Sequence, residues 1–322
     1  MRRAAVLLVV LIIFLGGPSL SLAGSVPAPA GSSVSPPVPD PPGTDAEGFL
    51  PHGEYAFADE ALGRWLYVSP TLRVDIARHS GTYGRRAVVW YVADVRFREG
   101  EAFRAFMANP KNPRVLERPE KIARDNDVVY AQNGDLFADR VYDRKLPGVI
   151  IRGGKILHEE TYSRARAAVP PLDELALFPD GRIEMRVPGE MGAQGYLDAG
   201  ARDVLAFGPI LFRDRVKDAR LPVSFTHREP RSAIGVAGPG HFVGIMVEGR
   251  NDRSAGAPLD FVADRLLEAG CHEAFTLDGG QTAAMVFMGR NVMDPGIYNG
   301  YQKARKQQDI IGIGHSKMVP YP

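Results

Sequence analysis

Cysteine is almost absent: Cys271 is the only one in 322 residues, so no intrachain disulfide can staple this chain and its core must hold by packing. It follows an apolar stretch and reads as a small buried residue rather than a reactive thiol. Zinc-ligand spacing is missing too. The seven histidines are scattered, and neither Cys-x-x-Cys nor His-Glu-x-x-His occurs; His241 and His272 qualify for catalysis by residue type alone and are not counted among the site residues. Net charge is lacking: 39 Lys and Arg against 38 Asp and Glu give a formal +1. No global field draws the chain to nucleic acid or to an anionic membrane, and no aromatic-basic repeat of a nucleic-acid binder appears. No uninterrupted apolar run reaches the roughly 20 residues of a spanning helix. No period of roughly 20–50 residues recurs, which argues against a solenoid or propeller.

What is present begins with an export layout. Arg2-Arg3, an apolar run from Ala4 to Leu15 and then Gly16-Gly17-Pro18 resemble a signal peptide over residues 1–23, with Ser21 and Ala23 placed for cleavage after Ala23. The alternative is an uncleaved anchor. Residues 24–47 are rich in Pro, Ser and Gly and read as a disordered or polyproline-like linker. A single domain is expected over residues 48–322, working outside the cell or in the cell envelope with no stable membrane span once the signal is cleaved.

Strand signals dominate that domain. Residues 72–77 and 87–95 are alternating or continuous apolar runs, and glycine-centred hairpin turns are expected at Arg152-Gly153-Gly154-Lys155, Pro179-Asp180-Gly181-Arg182, Ala237-Gly238-Pro239-Gly240 and Met288-Gly289-Arg290-Asn291. Helix signals cover residues 101–107, 119–124 and 259–269. The last is clearest: Leu259, Val262, Ala263, Leu266 and Leu267 share one face, and Pro258 suits the start. The fold class is α+β, with mixed or antiparallel sheets and a few packed helices.

Polar residues gather where apolar runs end. Asp278-Gly279-Gly280-Gln281-Thr282 follows one run, and glycines there permit positive φ and close approach of a ligand. Taken alone the segment is equally an ordinary turn. Asn133-Gly134-Asp135 follows another run and is either a type I′ turn or a pair of functional side chains at a sheet end. Arg231-Ser232 opens an apolar stretch with a guanidinium suited to phosphate or carboxylate, or merely solvated after Pro230. Glu248-Gly249-Arg250 reads as a site or as an exposed ion pair. Asp309 precedes the last strand, where a charged strand cap is the plain alternative.

The ordered set, together with Tyr91-Val92-Ala93-Asp94-Val95 and Phe207-Gly208-Pro209-Ile210-Leu211, resembles the phosphodiester glycosidase family over residues 65–313. That family includes secreted bacterial proteins and the catalytic domain of the lysosomal uncovering enzyme, which removes N-acetylglucosamine from a mannose phosphate diester. Asn133, Gly134, Asp135, Phe137, Arg231, Gly249, Arg250, Asp278, Gly279 and Gly280 match the family pattern. Gln132, Leu136, Ser232, Glu248, Thr276, Gln281, Thr282 and Ala283 depart from it.

The resemblance implies cleavage of a sugar-1-phosphodiester at the glycosidic C–O bond, releasing free sugar and a phosphomonoester. Asp278, Asp135 and Glu248 are then the candidate nucleophiles or bases. Arg231 and Arg250 would hold the phosphate with the Gly279 and Gly280 amides. Asn133 and Gln281 would orient sugar hydroxyls, with Gly134, Ser232, Thr282 and Asp309 as further binding candidates. No cofactor is required by the sequence, which leaves room for a calcium or magnesium ion on the carboxylates. The partner is a phosphodiester-linked sugar or glycan, such as a cell-wall polymer or exopolysaccharide. A glycan-binding or assembly factor without turnover, and a phosphodiesterase cleaving P–O, are the alternatives.

Overall fold

The structure is a computed structural model that describes residues 33–38, 40–141, 148–159, 172–298 and 300–321. The expected export signal lies outside the described residues. Among the described residues the strands form a ten-stranded sheet, two five-stranded sheets and a two-stranded ribbon, and every pairing is antiparallel.

The large sheet is built around the hairpin of Leu72–Tyr83 and Arg86–Phe97, closed at Tyr83 and Arg86 by Gly84 with φ +60°. Alternation in the second strand sorts its side chains between two cores. Val89, Tyr91, Ala93, Val95 and Phe97 face the five-stranded sheets, joined by Tyr130, Leu175, Leu205 and Ile311. Val88 and Trp90 face the helix Leu259–Glu268. That helix buries Leu259, Phe261, Val262, Ala263 and Leu266, with Leu267 only half-buried, and Phe261 meets Trp90 edge-on at 5.4 Å. Cys271 is buried in this second core, where burial pushes its thiol up to about 12, in keeping with an inert residue.

The four glycine-centred turns all close hairpins between neighbouring strands. The helix signal at 119–124 is realised as Pro119–Asp125, whereas the one at 101–107 is not. Arg104–Met107 is a strand on the edge of Asp309–His315. A four-residue segment satisfies its backbone better against an open strand edge than in an isolated helical turn, so tertiary pairing overrides local preference. Within the Pro-rich stretch, Ser33–Val34 pairs with His79 and Ser80, and Asp40 meets Arg73 at 2.7 Å.

The strand Asp173–Leu177 carries a buried acid, Glu174, whose Oε2 accepts the Tyr196 hydroxyl at 2.6 Å. Burial pushes this carboxyl up from 4.5 to about 8. Between those values the folded protein holds a proton that the unfolded chain releases, so this group's contribution to stability falls as pH rises through the window. Glu174→Gln is expected to flatten that fall. Urea midpoints between about pH 5 and pH 8 check it; parallel wild-type and variant profiles would contradict it.

Candidate functional site at the end of the large sheet

Strand register brings distant residues to one end of the large sheet. Arg231 lies opposite Val247, and Ser232 opposite Leu277, so Arg231, Glu248 and Asp278 emerge together. The strand Val128–Asn133 ends beside them from the neighbouring sheet. Asn133 clasps the turn: its Nδ2 donates to Asp278 O at 2.7 Å and to Gly134 O at 2.9 Å, and its Oδ1 accepts from Ala284 N at 3.1 Å. His241 and His272 sit at the other end of this strand group, opposite Arg96 and beside Val236.

The 278–282 segment is pressed onto residue 230. Gly280 N–H donates to Pro230 O at 2.9 Å, and a Cβ on Gly279 would lie 2.7 Å from that same oxygen. Gly280 has φ +59° and opens a short 3-10 turn through Thr282. A Cβ on Gly280 would meet both terminal nitrogens of Arg250 at 3.4 Å, so this guanidinium lies along the turn. Arg250 itself has φ +57°, a left-handed conformation that costs free energy in a residue with a side chain, and its Nε donates to Glu229 at 2.6 Å.

Arg231 is the more unusual cation. Its Nε and Nη2 donate to the carbonyls of Ala257 (3.1 Å) and His227 (2.8 Å). Among the described residues no carboxylate lies within ion-pair distance of it. Burial pushes its guanidinium down to about 10, Glu229 acting upward and the like charge of Arg250 adding to the fall. A mostly buried cation held by neutral carbonyls and facing a second cation favours an anion arriving from solvent.

The four acids are placed differently. Asp278 is partly exposed beside the two glycines. Glu248 is fully buried and saturated with donors: Tyr91 Oη at 2.9 Å, Asp294 N at 2.9 Å, Arg253 Nε at 2.7 Å and Nη2, and Asn251 Nδ2 at 3.4 Å. Asp135 and Asp309 are fully buried at the junction of the two five-stranded sheets. Arg152 donates to Asp135 at 2.9 Å and to Asp309 at 2.5 Å, and Asp135 also accepts from Ala206 N at 2.8 Å. Burial raises the Asp309 carboxyl, Arg152 pulling it down and Asp135 pushing it up.

The remaining candidates are held by protein partners. A Cβ on Gly134 would sit 2.2 Å from Asp309 Oδ1, so the glycine admits that carboxylate instead of making a type I′ turn. Ser232 is buried and its Oγ accepts from Gln132 at 3.3 Å. Gln281 Nε2 donates to Lys303 O at 3.1 Å, and Thr282 Oγ1 accepts from Arg305 at 3.3 Å, so the 303–305 segment lies over the turn.

Sequence reasoning missed Arg152, Arg253, Arg305 and the bridging role of Gln132, whose amide donates to Ser232, Ala233 and Ile245 between the sheets. Arg253, five residues beyond Glu248, is the one local spacing that signalled a pair. Among the described residues no three His, Cys, Asp or Glu side chains gather as a metal-holding group.

The fold and this cluster define an antiparallel α+β protein that gathers arginines, a glycine turn and an aspartate at one end of its large sheet. A family model for phosphodiester glycosidases matches residues 126–314, and the chain belongs to that family. A relative is the SPbeta prophage-derived protein YomE of Bacillus subtilis (strain 168), 28% identical over 193 residues, which are 59% of this chain and 28% of YomE. The chain thus spans under a third of that relative's length. Among solved structures, the zebrafish N-acetylglucosamine-1-phosphodiester alpha-N-acetylglucosaminidase catalytic domain, auto-inhibited by its pro-peptide, superposes with a TM-score of 0.59 at 19% identity. The match covers 84% of this chain and 90% of that one. A hypothetical protein from Synechocystis gives 0.50 at 14% identity over 76% of this chain and 62% of its own. These likenesses establish the fold.

Proposed function

We propose that this chain is an exported hydrolase that cleaves the glycosidic C–O bond of a sugar-1-phosphodiester. The carrying observation is Arg231, a largely buried cation with no carboxylate within ion-pair distance among the described residues, next to Arg250 and the Asp278-Gly279-Gly280 turn. Family membership and the signal-like first 23 residues support the reading.

In this mechanism Arg231 and Arg250 bind the phosphodiester oxygens. A water oxygen bonds to the anomeric carbon, the C–O(P) bond breaks, and its electron pair leaves on the phosphate oxygen. Asp278 takes the proton from the attacking water. The departing phosphomonoester has a second pKa of about 6, so it leaves without a strong general acid, provided that cations offset its charge. Gln281 and Arg305 flank the sugar. Glu248 acts from below by fixing Tyr91, Arg253 and the 294 backbone, while Asp135, Asp309 and Asn133 hold the sheet ends in place.

The test incubates the protein with α-linked sugar-1-phosphodiesters in labelled water, with and without EDTA, and follows reducing sugar and phosphomonoester. Label in the sugar supports this reading. Label in phosphate would move it to P–O cleavage, and saturable binding without product would make the chain a glycan-binding factor. The EDTA arm decides whether calcium or magnesium takes part. Arg250→Gln is expected to lower kcat/KM about 100-fold by removing a phosphate donor, and a loss under about threefold would place Arg250 outside the site.

A further inference from the structure

The Asp309–His315 strand runs away from the Asp278 cluster, and His315 pairs with Val128 at its far end. At about 3.4 Å per residue that end lies roughly 20 Å from Asp309. A hollow of about 360 Å³ opens there, lined by Glu101, Phe103, Arg104, Pro179, Arg202 and His315.

Two arginines reach it from different elements. Arg104 starts the edge strand of one five-stranded sheet, and its guanidinium lies 4.3 Å over the Phe106 ring, which fixes the direction of its donors. Arg202 precedes the Asp203–Phe207 strand of the other sheet. Among the described residues neither arginine has a carboxylate within ion-pair distance.

The nearby acids are already engaged. Glu101 accepts the Thr71 hydroxyl at 3.1 Å, Asp203 accepts Ala105 N at 3.0 Å and Gly153 N at 2.7 Å, and Asp127 meets His315 at 3.2 Å and Lys317 at 2.8 Å. Burial first, and then the like charge of Arg202, lower the Arg104 pKa, with Asp203 and Glu101 opposing. Like charges facing one hollow are stabilised by an anion between them.

We propose that this hollow is a second anion site, distinct from the Asp278 cluster, in which Arg104 and Arg202 grip a phosphoryl group with His315 at the rim. Two planar forks match the several oxygens of a tetrahedral phosphate, whereas a carboxylate is satisfied by a single fork. The hollow exceeds a bare phosphate, so a phosphomonoester fits with its attached group. Because the site joins the two five-stranded sheets, its occupant stabilises their contact.

The test is calorimetric titration of inorganic phosphate into the Arg231→Gln, Arg250→Gln double variant, which removes both cations that the first cluster offers to phosphate, with glycerol 3-phosphate and acetate as parallel arms. One phosphate per chain is expected, with acetate at least about tenfold weaker. Glycerol 3-phosphate binding more tightly than inorganic phosphate would assign the ligand to monoesters; the reverse would assign it to the free ion. Arg202→Gln, at an exposed position that the fold tolerates, is expected to weaken phosphate at least about tenfold and to abolish the rise in unfolding temperature that phosphate causes. Arg104→Gln is expected to do the same. No binding, acetate binding as tight as phosphate, or unchanged binding in the Arg202→Gln protein would overturn the proposal.

Discussion

Asp278→Asn is expected to lower kcat on sugar-1-phosphodiesters by about 1,000-fold, roughly 4 kcal/mol on the barrier, while the protein stays folded. The asparagine keeps the side-chain shape and removes the proton acceptor. The clasp of Asn133 on the backbone carbonyl of residue 278 does not involve the side chain and survives. Asp278 is also the one of the four acids that is partly exposed, since Asp135, Asp309 and Glu248 are fully buried. Turnover and urea unfolding measured on the same preparation check the prediction. A variant with more than about a tenth of wild-type turnover would remove Asp278 from the chemistry and return attention to Glu248, with Arg253 as the group that would have to move.

The largest stability loss is expected from Arg152→Met. This side chain is 1% exposed and meets two fully buried carboxylates while also donating to Val204 O and Ile151 O. Removing one partner of a buried ion pair leaves charge uncompensated and costs about 3–5 kcal/mol. Here two acids are stranded at once, at the seam where the two five-stranded sheets join.

The sign of the pH response follows from the acids. Without the guanidinium that pulls it down, the buried Asp309 carboxyl rises further, so the folded variant holds a proton that its unfolded chain releases. The deficit relative to wild type is therefore expected to be large near about pH 7.5 and smaller near about pH 5, read from urea midpoints. An equal deficit at both values would mean that Arg152 acts by packing, for instance through its place 4.9 Å over the Phe137 ring, rather than by charge. Asp309→Asn, which keeps an acceptor for Arg152, is expected to cost much less than Arg152→Met.

The sequence by itself determined the fold class, the long helix, the four hairpins and the family. Each is written locally: alternation along residues 87–95, the spacing of Leu259, Val262 and Leu266 behind Pro258, glycine pairs between apolar runs, and short motifs in a fixed order. It also marked the residues that gather at the sheet end, because strand ends carry their polar neighbours with them.

What only the tertiary structure decided is which of those residues face solvent. Asp135, Glu248, Asp278 and Asp309 look alike in the chain, yet only Asp278 is partly exposed. Asp309 and its partner Arg152 are 157 residues apart, and no local spacing announces such a pair. The same holds for Arg104–Met107, whose amphipathic helix signal yields to the open edge of a strand some 200 residues further along. Burial, partner choice and edge pairing are properties of surfaces brought together, and those surfaces exist only once the sheets have packed.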